Sequence, residues 1–211
     1  MMKLERSPGA YTIVCAGFQM QFVYREDRWQ HRLLLGSETA ERLLLASVEG
    51  TPDNARPPSP AFQDLFVEQP APQICEVQLM GQAGRQIYSG VISIDGQHSL
   101  IDFDLCVVSK EPPGQEPAGH SRYQLADGVE ISTSTSSSGE SLQTVRLQAD
   151  GEQWELALFS SDEFTDLSLS VEKEPGQRLA EISLQGSTAG GFVQSRRNQR
   201  WRYTLRRVER A

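Results

Sequence analysis

Residues 144–159 read TVRLQADGEQWELALF, two runs of alternating apolar and polar residues on either side of an Asp-Gly pair at 150–151. Such a pair suits a two-residue type I′ turn, because aspartate and glycine tolerate the positive φ angles that this turn requires. Pairing outward from the turn sets Leu147 opposite Trp154. One register therefore places all the apolar side chains on one face, which predicts an antiparallel hairpin with a single buried face.

The same alternation recurs along the chain. In residues 11–24, YTIVCAGFQMQFVY, apolar residues at every second position predict one extended strand. A turn at 26–27 then sets Tyr24 opposite Trp29 on the apolar face, and a turn at 95–96 predicts a third hairpin. Further strands are predicted at residues 74–80, 166–172, 180–185 and 201–205.

Only residues 36–50, GSETAERLLLASVEG, have helical features. Ser37 is a suitable N-cap for a helix, and a strand over 42–48 is the alternative because the leucines are consecutive. Many short strands with tight turns predict an all-β fold, an antiparallel β-sandwich or flattened barrel of roughly 9–12 strands with at most one short helix. The prediction is a single β domain over residues 1–211, with a possible two-lobed split near residues 111–141, where proline, glycine and serine replace the alternation.

Composition limits the function classes. The net charge of −8 argues against nonspecific nucleic-acid binding, and the apolar runs are too short for a membrane span. The N-terminus lacks the apolar stretch of a secretory signal. Three widely spaced cysteines (Cys15, Cys75 and Cys106) indicate free thiols in a reducing compartment. We therefore expect a cytoplasmic protein that binds neither nucleic acid nor membrane.

Candidate catalytic and metal-binding groups are few. Asp102 and Asp104 leave the same face of a strand, about 7 Å apart, and are weak candidates for a divalent cation site. His98 and Cys106 share that face but are separated by roughly 26 Å of strand, so they cannot form a catalytic pair. A solvated strand face is the favoured interpretation, and no cofactor is predicted.

The last strand is rich in arginine. Residues 196–210 contain seven arginines and one glutamate, a net charge of +6, which leaves −14 for the remainder. Alternation puts Arg200, Arg202 and Arg206 on the face opposite the aromatic residues. We expect that face to lie beside acidic strands; a surface for an acidic partner is the first alternative and single-stranded nucleic acid the second. The candidate intramolecular partners are Glu172, Glu174 and Glu181.

Two loops attract attention. Residues 47–65, SVEGTPDNARPPSPAFQDL, are either a polyproline ligand or a stiffened crossover between sheets, with Phe62, Leu65 and Phe66 pinning its far end into the core. Residues 81–85, GQAGR, predict a glycine-bearing hairpin, with an anion nest that uses Arg85 as the alternative. If Arg85 lies near Glu49 or Asp53, the two loops form one surface.

These two loops, together with VYREDRWQHRLL and IDFDLCVV, resemble a family of uncharacterised bacterial proteins with an SVEGxP…PPSPxxQ loop and a GxAGR turn. The resemblance covers most of the chain, so it implies one domain and a bacterial source, and it implies no activity. This sequence has Ala-Arg at 55–56, where the family pattern has acidic and aromatic residues.

Three function classes follow from these observations. The first is a non-catalytic intracellular binding module for a protein partner; the second is a β-barrel carrier that encloses a small apolar ligand; the third is an enzyme of unrecognised type. The candidate binding residues are Glu49, Asp53, Phe62, Arg85, Arg200, Arg202 and Arg206.

Overall fold

A computed structural model describes residues 2–36, 41–110, 119–135, 143–158, 167–172, 181–186 and 198–208. Sixteen strands make up the regular structure of these residues, and no helix occurs among them. The strands are β1 (Lys3–Ser7), β2 (Ala10–Cys15), β3 (Phe18–Arg25), β4 (Arg28–Leu35), β5 (Arg42–Ser47), β6 (Asp64–Ala71), β7 (Ile74–Ala83), β8 (Gln86–Asp95), β9 (Leu100–Ser109), β10 (His120–Leu125), β11 (Glu130–Thr135), β12 (Gln143–Ala149), β13 (Glu152–Leu158), β14 (Leu167–Glu172), β15 (Glu181–Gly186) and β16 (Asn198–Arg207).

The strands form two antiparallel sheets of eight. The first sheet has the order β1-β2-β3-β4-β5-β10-β15-β14, and the second has the order β11-β12-β13-β16-β9-β8-β7-β6. The sheets do not close into a barrel, so the predicted all-β class is confirmed in its sandwich form. Each sheet combines strands from before and after residues 111–141, since β5 pairs with β10 and β9 pairs with β16.

The strand count exceeds the expected 9–12, partly because the single strand predicted over 11–24 is two strands. The chain turns at Ala16 and Gly17, where Gly17 has a φ of 88°, and β2 pairs with β3. Because apolar residues still occur at every second position across this turn, the sequence pattern does not reveal the turn. From Arg42 onward, the segment in which a helix was considered forms strand β5. Ser37, the candidate N-cap, lies outside the described residues.

The predicted hairpin registers are confirmed. Leu147 lies opposite Trp154, and Tyr24 lies opposite Trp29. Asp150 and Gly151 have φ angles of 50° and 77°, as a type I′ turn requires. Between β8 and β9 the strand faces are as predicted, but the connection spans four residues, 96–99, rather than two.

Aromatic rings fill the space between the sheets. Phe18 of the first sheet contacts Trp154 of the second edge to face, with ring centroids 5.3 Å apart. Phe103 stacks on Tyr203 at 4.5 Å within the second sheet, and both rings are buried. These contacts join the inner faces into one hydrophobic core.

Residues 48–63 are the crossover that connects β5 of the first sheet to β6 of the second. Its end packs so closely on β7 that a Cβ atom at Gly81 would lie 1.9 Å from the carbonyl oxygen of Ala61. Phe62 follows, buried in the core, and its carbonyl accepts a hydrogen bond of 2.7 Å from the backbone N–H of Trp29. The crossover is thus fixed to both sheets.

Gly81→Ala tests this close approach. The added methyl group would meet backbone atoms of the crossover, which cannot rotate away, so we expect the free energy of unfolding to fall by about 1–3 kcal/mol. Urea denaturation measures it, with Ser89→Ala on the neighbouring strand as the control that should change little. Equal stability of the two variants would show that the crossover is not held against β7.

Candidate functional site

Strand β16 presents its arginines to acidic residues on the outer face of the second sheet. Arg200 binds Asp104 through two hydrogen bonds, with a distance of 2.6 Å from Nε to Oδ1, and Arg202 binds Asp102 in the same way, at 2.9 Å. Arg206 donates to Glu155 of β13. Forked guanidinium–carboxylate pairs of this kind fix the register of β16 between β9 and β13.

Two of the acidic partners predicted for these arginines are wrong: Glu172 and Glu181 lie on β14 and β15, which belong to the other sheet. The third, Glu174, lies outside the described residues. The partners come instead from strands distant in sequence. Because the arginine side chains are one-third to more than one-half exposed, each pair contributes only about 0.2–1 kcal/mol.

The ion pairs alter the chemistry of the acidic groups. Burial raises the pKa of Glu155, but hydrogen bonds from Arg206 and Arg146 outweigh it and lower the pKa overall. Asp102 and Asp104, the weak metal candidates, each hold a guanidinium group where a cation would bind. Among the described residues, no three His, Cys, Asp or Glu side chains are arranged to hold a metal ion.

A groove of about 490 Å³ crosses the outer face of the second sheet from β6 to β16; we call it the β6 groove. Large apolar side chains line it and remain in contact with solvent: Phe66 and Met80 are each 58% exposed, and Val91 is 38% exposed. Asp104 and Arg200 close its far end as an ion pair. Exposed apolar clusters of this kind are typical of interaction surfaces.

The strand register explains the shape of the groove. Phe66, Gln78 and Val91 lie in one row across the strands, directly opposite one another from β6 to β8. The adjacent row contains Asp64 and Met80. Sequence reasoning missed Met80 and Val91, which are apolar residues at outward positions of β7 and β8. The prediction that Phe66 pins the crossover into the core is wrong, because its side chain lies on the outer face of the sheet and is exposed.

Acidic groups flank the groove at the β6 edge. Asp64 and Glu68 are exposed on β6, two residues on either side of Phe66, and Glu76 of β7 lies directly opposite Glu68. Within the described ranges, no arginine or lysine pairs with any of these three carboxylates. This corner of the sheet therefore carries a negative charge that no paired cation of the described residues compensates. Glu68 and Glu76 also repel each other, since like charges directly opposite one another on a sheet are unfavourable.

The crossover and the GQAGR turn lie side by side. A Cβ atom at Gly84 would be 3.0 Å from the Cβ of Ala55, and the side chain of Gln63 bonds both the N–H and the carbonyl of Gln82. Asp53 and Arg85 are exposed. In the described part of the chain, the side chain of Arg85 makes no ion pair with Asp53 or Glu49. The loops are therefore adjacent, but the charge contact that was the condition for one shared surface is absent.

Glu49 lies inside the protein, at the start of the crossover. Its carboxylate accepts a hydrogen bond from Ser47, and its backbone carbonyl accepts one of 2.8 Å from Arg28, which also forks onto Asp27. Burial raises the pKa of Glu49 to about 8, which outweighs the lowering effects of Ser47 and Arg28. Glu49 and the buried Arg28 therefore hold the crossover rather than a surface ligand.

A hydroxyl and imidazole network continues from this point into the core. The His31 backbone N–H donates to Ser47, and its Nε2 lies 2.8 Å from the Tyr123 hydroxyl, which bonds the Tyr203 hydroxyl. Burial lowers the pKa of His31 to about 3, so the ring is neutral. Sequence reasoning missed this network, although the predicted hairpin register already placed His31 opposite Phe22 on the inner face.

Phe62 cannot be a surface contact, because it is 2% exposed in the core. The β6 groove lies on the outer face of a sheet, not between the sheets, and the sheets form no barrel. A ligand bound in this groove would therefore not be enclosed in the way predicted for a β-barrel carrier.

Comparison with known proteins adds no relative: no family model matches the chain, and no curated protein is similar to it. The described part of the chain contains no helix that is long and apolar enough to span a bilayer.

Glu49→Gln tests the buried carboxyl group. Because the pKa is raised on folding, the folded state keeps this proton after the unfolded chain has lost it, and stability falls as pH rises toward 8. His31 opposes this trend only below about pH 6.5. We expect wild type to lose about 1–2 kcal/mol between about pH 6.5 and pH 8 and the variant to lose much less, measured by urea denaturation. Parallel pH profiles would contradict a buried, protonated Glu49.

Proposed function

We propose that this protein is a non-catalytic binding module that holds an apolar segment of a partner protein in the β6 groove. The observation that carries the proposal is the convergence of Phe66, Met80 and Val91, all exposed, on one groove. Burying these three side chains against a partner would contribute several kcal/mol, at about 25 cal/mol per Å² of apolar surface.

Charge indicates the kind of partner. Arg200 is already satisfied by Asp104 at one end of the groove, whereas Asp64, Glu68 and Glu76 at the other end are not matched by a cation in the described residues. An apolar segment that carries lysine or arginine would complement this surface, and an acidic segment would be repelled. The preferred partner is therefore basic and apolar.

The cysteines support a reducing compartment for this function, and with it the cytoplasm; a bacterial source is implied only by the sequence resemblance. Cys15, Cys75 and Cys106 are free thiols, and the first two are buried. Burial raises the pKa of Cys15 to about 12 and that of Cys75 to about 11, so neither is activated as a nucleophile.

A small apolar ligand is the second candidate for the same groove. The observation that favours it is the volume of about 490 Å³, which lies within the range of small-molecule sites, roughly 300–1,000 Å³. This candidate would bind on the open face of the sheet, and it needs no basic group.

Site-specific cross-linking in the native host separates the candidates. Photoreactive benzoylphenylalanine in place of Met80 should cross-link to one defined segment that contains apolar residues beside lysine or arginine, as identified by mass spectrometry. The same group in place of Gln148, exposed on β12, is the matched control and should not capture that segment.

Val91→Lys in the Met80-labelled protein should abolish the cross-link, because it puts a charge into the apolar groove and repels a basic segment. Cross-linking to a small molecule would favour the second candidate. Equal capture from the Met80 and Gln148 positions, or capture that survives Val91→Lys, would contradict a partner site in the groove.

A further inference from the structure

Strand β6 ends the second sheet. It spans Asp64–Ala71 and, among the described residues, pairs only with β7, in regular register over Asp64–Glu68; the register shifts between Glu68 and Ala71, and Pro70 has no N–H. Over Asp64–Glu68, the backbone N–H and C=O groups on the other side of β6 have no neighbouring strand among the described residues. An edge of this kind is a template for another extended chain. The edge borders the open end of the β6 groove, since Asp64 and Phe66 line both.

The sheet register defines what a strand added at this edge would meet. Outward-facing side chains on β6 are Asp64, Phe66 and Glu68, in that order. Residues directly opposite one another on antiparallel strands have Cβ atoms about 4.5–5.5 Å apart. An added strand would therefore place three alternate side chains beside a carboxylate, a phenyl ring and a second carboxylate.

We infer that the partner adds an antiparallel strand to the free edge of β6, with the alternating pattern basic–x–apolar–x–basic facing outward. The apolar residue lies beside Phe66 and extends the wall of the groove by one strand. The two basic residues lie opposite Asp64 and Glu68. This inference rests on the proposed function, and it specifies both the partner segment and the way it binds.

The carboxylate pair on β6 and β7 supports the basic positions. Glu68 lies directly opposite Glu76 on the same face, an arrangement of like charges that destabilises a sheet. A lysine or arginine on the added strand would lie next to Glu68 and reduce this repulsion. The partner's charge therefore compensates for a conflict that the isolated chain leaves in place.

The same charges disfavour a second copy of this chain as the occupant. When two β6 strands pair antiparallel with Phe66 opposite Phe66, Asp64 of each copy faces Glu68 of the other. Two like-charge contacts would then accompany each apolar contact, and like charges directly opposite are unfavourable. The edge favours a different, basic chain over self-association.

A peptide titration tests the inference. The probe is the capped peptide Thr-Lys-Thr-Ile-Thr-Lys-Thr, added to the ¹⁵N-labelled full chain and followed by amide chemical shifts and hydrogen exchange. We expect shifts at Met80 and Val91 and slower exchange of β6 amides, because strand addition bonds the main chain of the edge. The peptide with glutamate in place of both lysines should bind about tenfold more weakly.

Charge reversal supplies the matched variant. Both Asp64 and Glu68 are exposed, so the double variant Asp64→Lys, Glu68→Lys should fold, and we expect it to prefer the glutamate peptide over the lysine peptide. A peptide of the same composition with adjacent lysines, Lys-Lys-Thr-Thr-Ile-Thr-Thr, should bind more weakly to wild type, because the spacing no longer matches the strand repeat.

The outcomes separate this inference from the proposed function. If the lysine peptide shifts Met80 and Val91 but leaves exchange of the β6 amides unchanged, strand addition is wrong and the groove remains a binding site. Equal binding of the lysine and glutamate peptides overturns the basic pattern. If no peptide binds while cross-linking at Met80 still identifies a partner segment, only strand addition fails; if both experiments are negative, both proposals fail.

Discussion

The docking of the crossover on β7 is the contact on which the rest of the structure depends. The absence of a side chain at Gly81 lets the Ala61 backbone approach, and that approach delivers Phe62 to the core and Gln63 to the GQAGR turn. With its start fixed in this way, β6 lies beside β7 and pairs with it. The strand thus becomes the edge of the second sheet, with Phe66 facing solvent.

The two ends of the crossover are held by different interactions. At its start, the buried Arg28 binds the Glu49 carbonyl, and Ser47 connects Glu49 to the interior network around His31. At its end, close packing on Gly81 is combined with the two hydrogen bonds between the Gln63 side chain and the Gln82 backbone. The proline-rich part between them stiffens the chain, because proline restricts the backbone before folding. The crossover therefore has an architectural role, since it positions the edge, whereas the binding function that we propose belongs to the edge and the β6 groove.

The sequence predicts local features of this fold better than distant ones. Hairpins such as that at Asp150 follow from alternation and turn chemistry within a few residues. The division of 11–24 into β2 and β3 is hidden, because the alternation continues through the turn at Gly17. The arginine partners depend on β16 pairing with β9, about a hundred residues away in sequence. The groove forms only when several strands lie side by side, which the sequence pattern does not predict. Its one sign in the sequence is that the apolar residues Met80 and Val91 occupy outward-facing positions of their strands.

The openness of the β6 edge is the central claim, and hydrogen exchange of the free protein at low concentration tests it most directly. The account predicts that amides on the free side of β6 exchange rapidly, whereas those of β8 and β9, each paired on both sides, exchange slowly. Protection of the β6 amides at the level of β8, in the absence of any partner, would contradict the account, since the edge would then already be covered.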